Sequence, residues 1–422
     1  MILTVGTKRI LTLTHSTPSR DPRILREARA LASTGDFEVD IVGFTDDLSG
    51  AVGWQLFSAN RGMGFRVCEF VKPNLDSFAS KIFFRTRHSR SEKPLVMSAV
   101  EAWRGSRAHR VLGQIVAGFV LQGPWFSSQL GSITDTKDYD FVHCHDWVLL
   151  FAGRKISRRT GAKLIYDSHE LATRRNLQTR SNRLVVSIVE RISWPHVDLF
   201  ISVSQSIVDF YLRRYGWKTS LVVVNTPEVR GENTPRRVGT VRTRSGCSQG
   251  DVLAVYVGGF SSGRGIDAIL EAAKLEVRGL HFTFLGSGPL RGAIALAAEE
   301  LGNVSIIEPV NGDQVVGFLR DADVGLCLIE SVTLSYEYSL PNKLFESLFA
   351  GLRVVAYPRK EIAEVLEEVG GGVLVEQTAP EEIVRACFAA SALRPAKTEA
   401  LELYSLSRVG HNLVEAYRRL GR

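Results

Sequence analysis

Apolar residues fall along this chain in short runs separated by amphipathic stretches, and they do so in two successive series. In the first series Arg9–Thr14 reads as a buried strand. Asp21-Pro22 then opens a helix running to about Ala32, with a capping carboxylate ahead of a proline at the first helical position. Its Ile24, Leu25, Ala28 and Leu31 recur at helical spacing. Val39–Phe44, Phe141–His145, Lys163–Tyr166, Leu199–Val203 and Leu221–Val224 read as further strands with helical stretches between them. Such alternation predicts parallel strands with helices on both faces. Residues 75–130 break the rhythm and mix basic with apolar residues, as in Lys81-Ile82-Phe83-Phe84-Arg85, so they read as a helical insertion. Residues 226–250 are rich in Thr, Pro, Gly, Arg and Ser and read as a linker. The second series has strands at Leu253–Val257, His281–Leu285, Val304–Ile307, Val324–Leu328, Arg353–Ala356 and Gly372–Val375. A closing helix, Leu403–Leu420, carries Leu406, Val409, Leu413 and Tyr417 on one face. The expectation is an α/β protein of two doubly wound domains, residues 1–225 and 251–404, with their ligand in the cleft between them.

Composition adds exclusions. The 422 residues are 45% hydrophobic and 23% charged, an ordinary globular balance that excludes collagen, coiled coil and disorder. Five scattered cysteines with no C-x-x-C pair exclude a disulfide framework and a thiolate zinc site, and fit a reducing, cytoplasmic setting. The first residues carry no signal-peptide pattern, and no apolar run is long enough to span a membrane. The net charge of +7 is uneven. Residues 81–110 hold eight basic against two acidic side chains, and residues 151–193 ten against three, so the remainder is net acidic. A basic first half points to an anionic partner, or else is a solvated basic face.

Four clusters could carry chemistry. Gly258-Gly259-Phe260-Ser261-Ser262-Gly263-Arg264-Gly265 lies between a strand and a helix, where glycines and a helix start can cradle a phosphate and Arg264 can bind it bidentately. The spacing is not the dinucleotide G-x-G-x-x-G, and a plain glycine turn is the simpler reading. In Leu340-Pro341-Asn342-Lys343-Leu344-Phe345-Glu346, Lys343 and Glu346 share a helix face, suited either to a diphosphate and a sugar diol or to a surface ion pair. His143-Cys144-His145-Asp146 closes a strand, with both histidines on one face. They could touch a polar substrate, hold a metal, or sit satisfied in the core. Tyr166-Asp167-Ser168-His169-Glu170 ends the next strand, where Asp167 or Ser168 could simply cap a helix.

Taken in order, these segments resemble the family 4 retaining glycosyltransferases of the GT-B fold, group 1. The resemblance runs through Asp21-Pro22-Arg23-Ile24 with Glu27-Ala28, His143-x-His145-Asp146, Tyr166–Glu170, Asn225-x-Pro227, Gly258–Gly265, Gly286-Ser287-Gly288-Pro289, Asp321-Ala322-Asp323, Pro341–Glu346 and Ala350-Gly351. It implies two Rossmann-like domains facing across a cleft, with the C-terminal helix 405–422 packing back on the first. It also implies a UDP- or GDP-linked sugar as donor and a glycan or lipid-linked hydroxyl as acceptor in polysaccharide or glycoconjugate biosynthesis. No metal or other cofactor is implied.

By this resemblance Gly258, Gly259, Arg264, Gly286, Pro309, Leu340, Asn342, Lys343 and Glu346 bind the donor. His145, with His143 as its fallback, and His169 lie near the reacting sugar, and His15, Arg20 and Asp21 face the acceptor. The family's E-x7-E motif places its second glutamate at Glu346 and its first at Tyr338, one residue after Glu337, and Glu337 joins His145 and His169 as a catalytic candidate because a loop can absorb the slip. Gly259 stands where the family has an arginine, leaving Arg264 and Lys343 to carry the diphosphate. The basic insertion would suit an anionic membrane, with the protein peripheral on the inner face of the plasma membrane, or an acidic polysaccharide. Two other readings are a non-catalytic nucleotide-sugar- or partner-binding homologue, and a serine hydrolase built on Ser261 with His411. Nucleic acid is not an expected partner, because the charge comes without a reading module.

Overall fold

The computed structural model describes residues 7–45, 54–58, 64–71, 139–176, 179–229, 240–376 and 379–422. The insertion expected over 75–130, with its basic window 81–110, lies outside these residues.

The first apolar series forms one sheet. Its strands are β1 (Lys8–Leu13), β2 (Phe37–Thr45), β3 (Trp54–Ser58), β4 (Gly64–Val71), β5 (Phe141–His145), β6 (Lys163–Ser168), β7 (Val197–Ser202) and β8 (Ser220–Val222), in the order 3-4-2-1-5-6-7-8. The central pairs are parallel, and beyond the basic residues that open β1 and β6 their side chains are buried, the polar Thr12, His143, His145, Asp167 and Ser168 included. Helices α1 (Pro22–Ala32), α2 (Leu150–Thr160), α3 (Arg180–Ser193) and α4 (Gln205–Tyr215) connect or cover them. Asp21 caps α1 as the sequence predicts, its Oδ1 accepting from the Arg23 and Ile24 amides. Two strands, β3 and β4, were absent from the sequence reading. Residues 59–63 between them are too few for a crossover helix, so β3 returns antiparallel to β4.

The second series forms a six-stranded parallel sheet. The order is 11-10-9-12-13-14, from β9 (Val252–Gly259), β10 (Leu280–Ser287), β11 (Val304–Ile307), β12 (Val324–Cys327), β13 (Arg353–Ala356) and β14 (Gly372–Leu374). Along β9 the side chains divide between two cores. Ala254 and Tyr256 join Phe260, Phe282 and Phe284 on one face, while Leu253, Val255 and Val257 join Leu285 and Phe318 on the other. The covering helices include α5 (Val241–Ser245), α6 (Ile266–Ala273), α7 (Arg291–Glu300), α8 (Val315–Leu319), α9 (Leu334–Glu337), α10 (Asn342–Phe349), α11 (Lys360–Val369), α12 (Pro380–Ser391), α13 (Thr398–Leu401) and α14 (Leu406–Leu420). Helix α5 falls inside the expected linker. The polar residues that hid its periodicity have structural roles: Thr240 caps it, and Arg242 pairs with Asp323 at 2.6 Å.

The chain divides into two compact units. One comprises Met1–Ser202, Val208–Leu221 and Leu413–Arg422, and the other Val203–Ile207 and Val222–Asn412. The end of α14 thus belongs with the first sheet, where the Tyr417 ring meets Phe37 and Phe141 edge-on.

Candidate active site

In the second unit the carboxyl ends of β9 and β10 approach closely. Gly258 and Gly286 are paired across the strands, and both hold positive φ. A Cβ on Gly286 would fall 2.0 Å from the Gly258 carbonyl oxygen, so only glycine fits there. Lys343, on the first turn of α10, extends past this corner. Its Nζ lies 3.3 Å from the centre of the Tyr256 ring, and its Cε would sit 3.9 Å from a Cβ on Gly258. The side chain is buried, and its amine has no hydrogen-bond partner among the described residues. Burial pushes the ammonium down to about 7, with Arg264 adding to the fall and Cys327 and Glu346 opposing it. The surface ion pair with Glu346 weighed from the sequence is not formed: Lys343 points to the strand ends instead. Arg264 lies over the Tyr336 ring at 5.8 Å, and its Nε also has no partner among the described residues. Its loop is pinned where the Gly265 amide donates to Glu330 and the Glu330 amide donates to the Gly263 carbonyl.

In the first unit the ends of β5 and β6 carry a dense polar cluster. Both oxygens of the buried Asp167 accept from Arg23 Nη2, at 3.0 and 2.8 Å. Arg23 Nε lies 3.0 Å from Glu27. His145 Nδ1 is 3.0 Å from His169 Nε2 and 3.5 Å from Asp167, and the His145 ring stacks on His143 at 4.3 Å. His143 Nδ1 in turn meets the Tyr417 hydroxyl at 2.8 Å. Burial pushes His143 well below the usual imidazole range, and the field of His145 adds to this, so it is neutral. Burial opposes ionisation of Asp167, but Arg23 and His169 outweigh it and hold the carboxyl well below its usual range. The same contest lifts His169 to about 9, where Asp146 and Asp167 prevail over burial and the field of Arg23. Asp167 therefore does not cap a helix. It anchors Arg23, which lies 144 positions earlier in the sequence.

Glu27, His143, His145 and Asp167 offer atoms all within 4.8 Å of one another, a grouping that could hold a metal ion. The guanidinium of Arg23 already takes both Asp167 oxygens and flanks Glu27. The place of a metal cation is thus already taken by an arginine, with His169 a second cation beside Asp167, and the residues fit a metal poorly.

The remaining expected residues are spread between the units. His145 and His169 meet in the first unit, as above. Asp21 is the cap of α1 and also accepts from Ser16 Oγ, while Arg20 is exposed and His15 half-buried. In the second unit Leu340 is buried just before α10, Asn342 begins that helix, and Glu346 follows one turn later. Gly259 accepts from the Tyr256 hydroxyl, and Pro309 is exposed after β11. Glu337 ends α9 and is paired with Arg359 at 2.7 Å, while the Tyr338 carbonyl accepts from Ser204. Arg23, Asp167 and Tyr417 were not named as site residues from the sequence. Asp167 lay within a quoted motif, but nothing local reveals its pairing with Arg23.

Two family matches divide the chain in the same order. The family described as glycosyl transferase 4-like domain matches residues 21–227, and glycosyl transferases group 1 matches residues 251–391. The chain belongs to the group 1, family 4 glycosyltransferases. It is 25% identical over 262 residues to EpsD of Bacillus subtilis (strain 168), which carries a glycosyltransferase name. That match covers 59% of this chain and 66% of EpsD, a little under two thirds of its length. An uncharacterized glycosyltransferase of Methanocaldococcus jannaschii, MJ1607, is 22% identical over 315 residues, 68% of this chain and 77% of its own. Among solved structures, HepE of Anabaena in complex with UDP and glucose superposes with a TM-score of 0.63 at 13% identity, over 97% of this chain and 99% of HepE. Sucrose-phosphate synthase of Thermosynechococcus elongatus gives 0.60 at 15% identity, over 98% and 96%. These likenesses establish the two-domain GT-B fold.

Proposed function

We propose that the protein is a retaining glycosyltransferase that moves a sugar from a UDP- or GDP-linked donor to a hydroxyl of a glycan or lipid-linked acceptor, without a metal. The observation that carries this reading is the buried, unpartnered amine of Lys343 beside the glycine corner of β9 and β10. A buried cation without a counter-charge is costly, and a diphosphate would supply that charge. Arg264 would bind the same group, and the backbone at Gly258 and Gly286 would let it come close. Glu346 would meet the ribose, with Leu340, Asn342 and Pro309 lining the nucleotide. HepE of Anabaena, of the same fold, forms a complex with UDP-glucose, which favours a donor of that class.

In the reaction the acceptor oxygen bonds to the anomeric carbon on the face from which the diphosphate departs. The bond from that carbon to the phosphate oxygen breaks, its electron pair leaves with the diphosphate, and the acceptor proton passes to a leaving phosphate oxygen. Lys343 and Arg264 stabilise the charge that grows on the leaving group. His145, held between His143, Asp167 and His169, orients the donor sugar. His15, Arg20 and Asp21 belong to the acceptor side of this scheme.

The test is thermal melting against a panel of nucleoside diphosphates and nucleotide sugars, for the native protein and Lys343→Met. A rise with one base that the variant loses is expected, since a ligand that binds only the folded state raises the midpoint. No shift with any nucleotide overturns the donor site. A shift without sugar transfer or donor hydrolysis selects the non-catalytic reading, to which the engagement of Glu337 by Arg359 lends some weight.

A further inference from the structure

We propose that the outer faces of α2 and α3, with the loop at Trp217, form a surface that docks the first unit on an anionic lipid bilayer. Helix α3 buries Val185, Val186, Val189 and Glu190 against the sheet. Its opposite face is not polar. Leu184 is 59% exposed, Ile188 37% and Ile192 42%, one per turn along the outside. The exposed positions among them are Arg180, Arg183 and Arg191. The one acid of α3, Glu190, faces inward, where the hydroxyls of Tyr166, Tyr211 and Tyr215 donate to it at 2.9, 2.6 and 2.8 Å.

The patch continues beyond the helix. Trp217 is 80% exposed, and its neighbours tie it to the end of α3. Trp194 Nε1 donates to the Gly216 carbonyl, Lys218 Nζ donates to the Pro195 carbonyl, and Arg214 donates to Ser187. The adjoining helix α2 contains no acid and presents Lys155 and Arg158 outward. The positive charges are close enough to act together: besides burial, the fields of Arg154, Arg158 and Lys218 lower the titration of His196. Much of the basic window 151–193 is thus laid on one face.

The mixture selects the partner. A soluble polyanion would need the cations but not outward Leu, Ile and Trp. An anionic bilayer uses both, because aliphatic side chains enter the acyl boundary, tryptophan settles at the headgroups, and each nearby cation adds attraction. Among the described residues no helix is long and apolar enough to cross a membrane, so the contact would be in-plane.

The test uses the full chain without donor, so it stands apart from the donor site. The protein is sedimented with phosphatidylcholine vesicles containing about one third phosphatidylglycerol, and with phosphatidylcholine alone, at low and high salt. Binding to the anionic vesicles only, weakening with salt, is expected. Leu184→Ser/Ile188→Ser/Ile192→Ser should lower partition by roughly tenfold or more. Arg183→Ser/Arg191→Ser should lower it and flatten the salt dependence. Trp217→Ser alone provides a milder second variant, and an unchanged melting midpoint certifies each fold. Absence of native binding at low salt overturns the proposal. So does binding that the aliphatic and tryptophan variants leave unchanged, which would mark a polyanion site such as one for an acidic polysaccharide.

Discussion

In the first unit the buried cation Arg23 lies within 3.0 Å of two carboxylates, whereas in the second the buried cation Lys343 has no hydrogen-bonding partner among the described residues. Arg23 is fixed by geometry: its planar fork matches Asp167, and a guanidinium stays charged at any ordinary pH. Lys343 is a point charge on a flexible stem, and burial brings its titration to about 7. The first arrangement is self-neutralised and holds strand ends in place. The second has a buried amine with no hydrogen-bonding partner among the described residues, which an anion would complete under the proposed function. The two units thus use buried cations in opposite ways, one closed by carboxylates and one left open.

The largest effect should come from breaking the closed cluster. Arg23→Met leaves Asp167 and Glu27 buried without their counter-charge, at a cost of about 3–5 kcal/mol. Thermal unfolding should show a fall of many degrees or no cooperative transition. Adding Asp167→Asn should recover part of the loss, since the orphaned charge is then removed. A single variant that melts like the native protein would mean that the pair does not organise this unit.

The open site should respond the other way. Lys343→Met replaces a buried amine with an apolar side chain of similar length, so the melting midpoint should hold or rise while donor affinity falls, by roughly 100-fold for a charge-assisted contact. The pH dependence has two opposite signs. In the free protein the folded titration point lies below the ordinary 10.5, so between about 7 and 10.5 the unfolded chain binds more protons and stability rises with pH. Donor binding requires the charged amine, so affinity should fall as pH rises through about 7, by up to about tenfold per unit. Calorimetric titration of a nucleotide sugar from pH 6 to 9 measures this. Equal affinity across that range would show that Lys343 does not face the diphosphate.

How much of this contrast the sequence discloses depends on how far apart the interacting residues lie. The Asp21 cap, the alternation of His143 and His145, and the strands that bear them follow from local spacing. The closure of Arg23 on Asp167 spans 144 positions and has no local signature. Helix spacing makes Lys343 a candidate for a diphosphate but leaves a surface ion pair with Glu346 as an equal reading, and the family resemblance favours the first. The burial of Lys343 is set by Tyr256 and Gly258 on another element. Strand β4 escaped because its apolar alternation at Phe65 and Val67 is short.

The smallest expected effect lies at the rim of the closed cluster. His169 keeps some exposure, so solvent screens its pairing with Asp146 and Asp167 and only a modest contribution is expected. Its folded titration point, about 9, is above the ordinary 6.5. The folded state therefore holds the proton more tightly, and the stabilisation is fully present below 6.5 and lost as pH rises through 9. His169→Asn should melt lower than the native protein at pH 6, with the gap narrowing by pH 9. The imidazole resonances, followed by NMR, should place the midpoint near 9. A midpoint near 6.5 would mean that Asp146 and Asp167 do not hold the His169 proton, and that Arg175 and Arg23 alone neutralise these carboxylates.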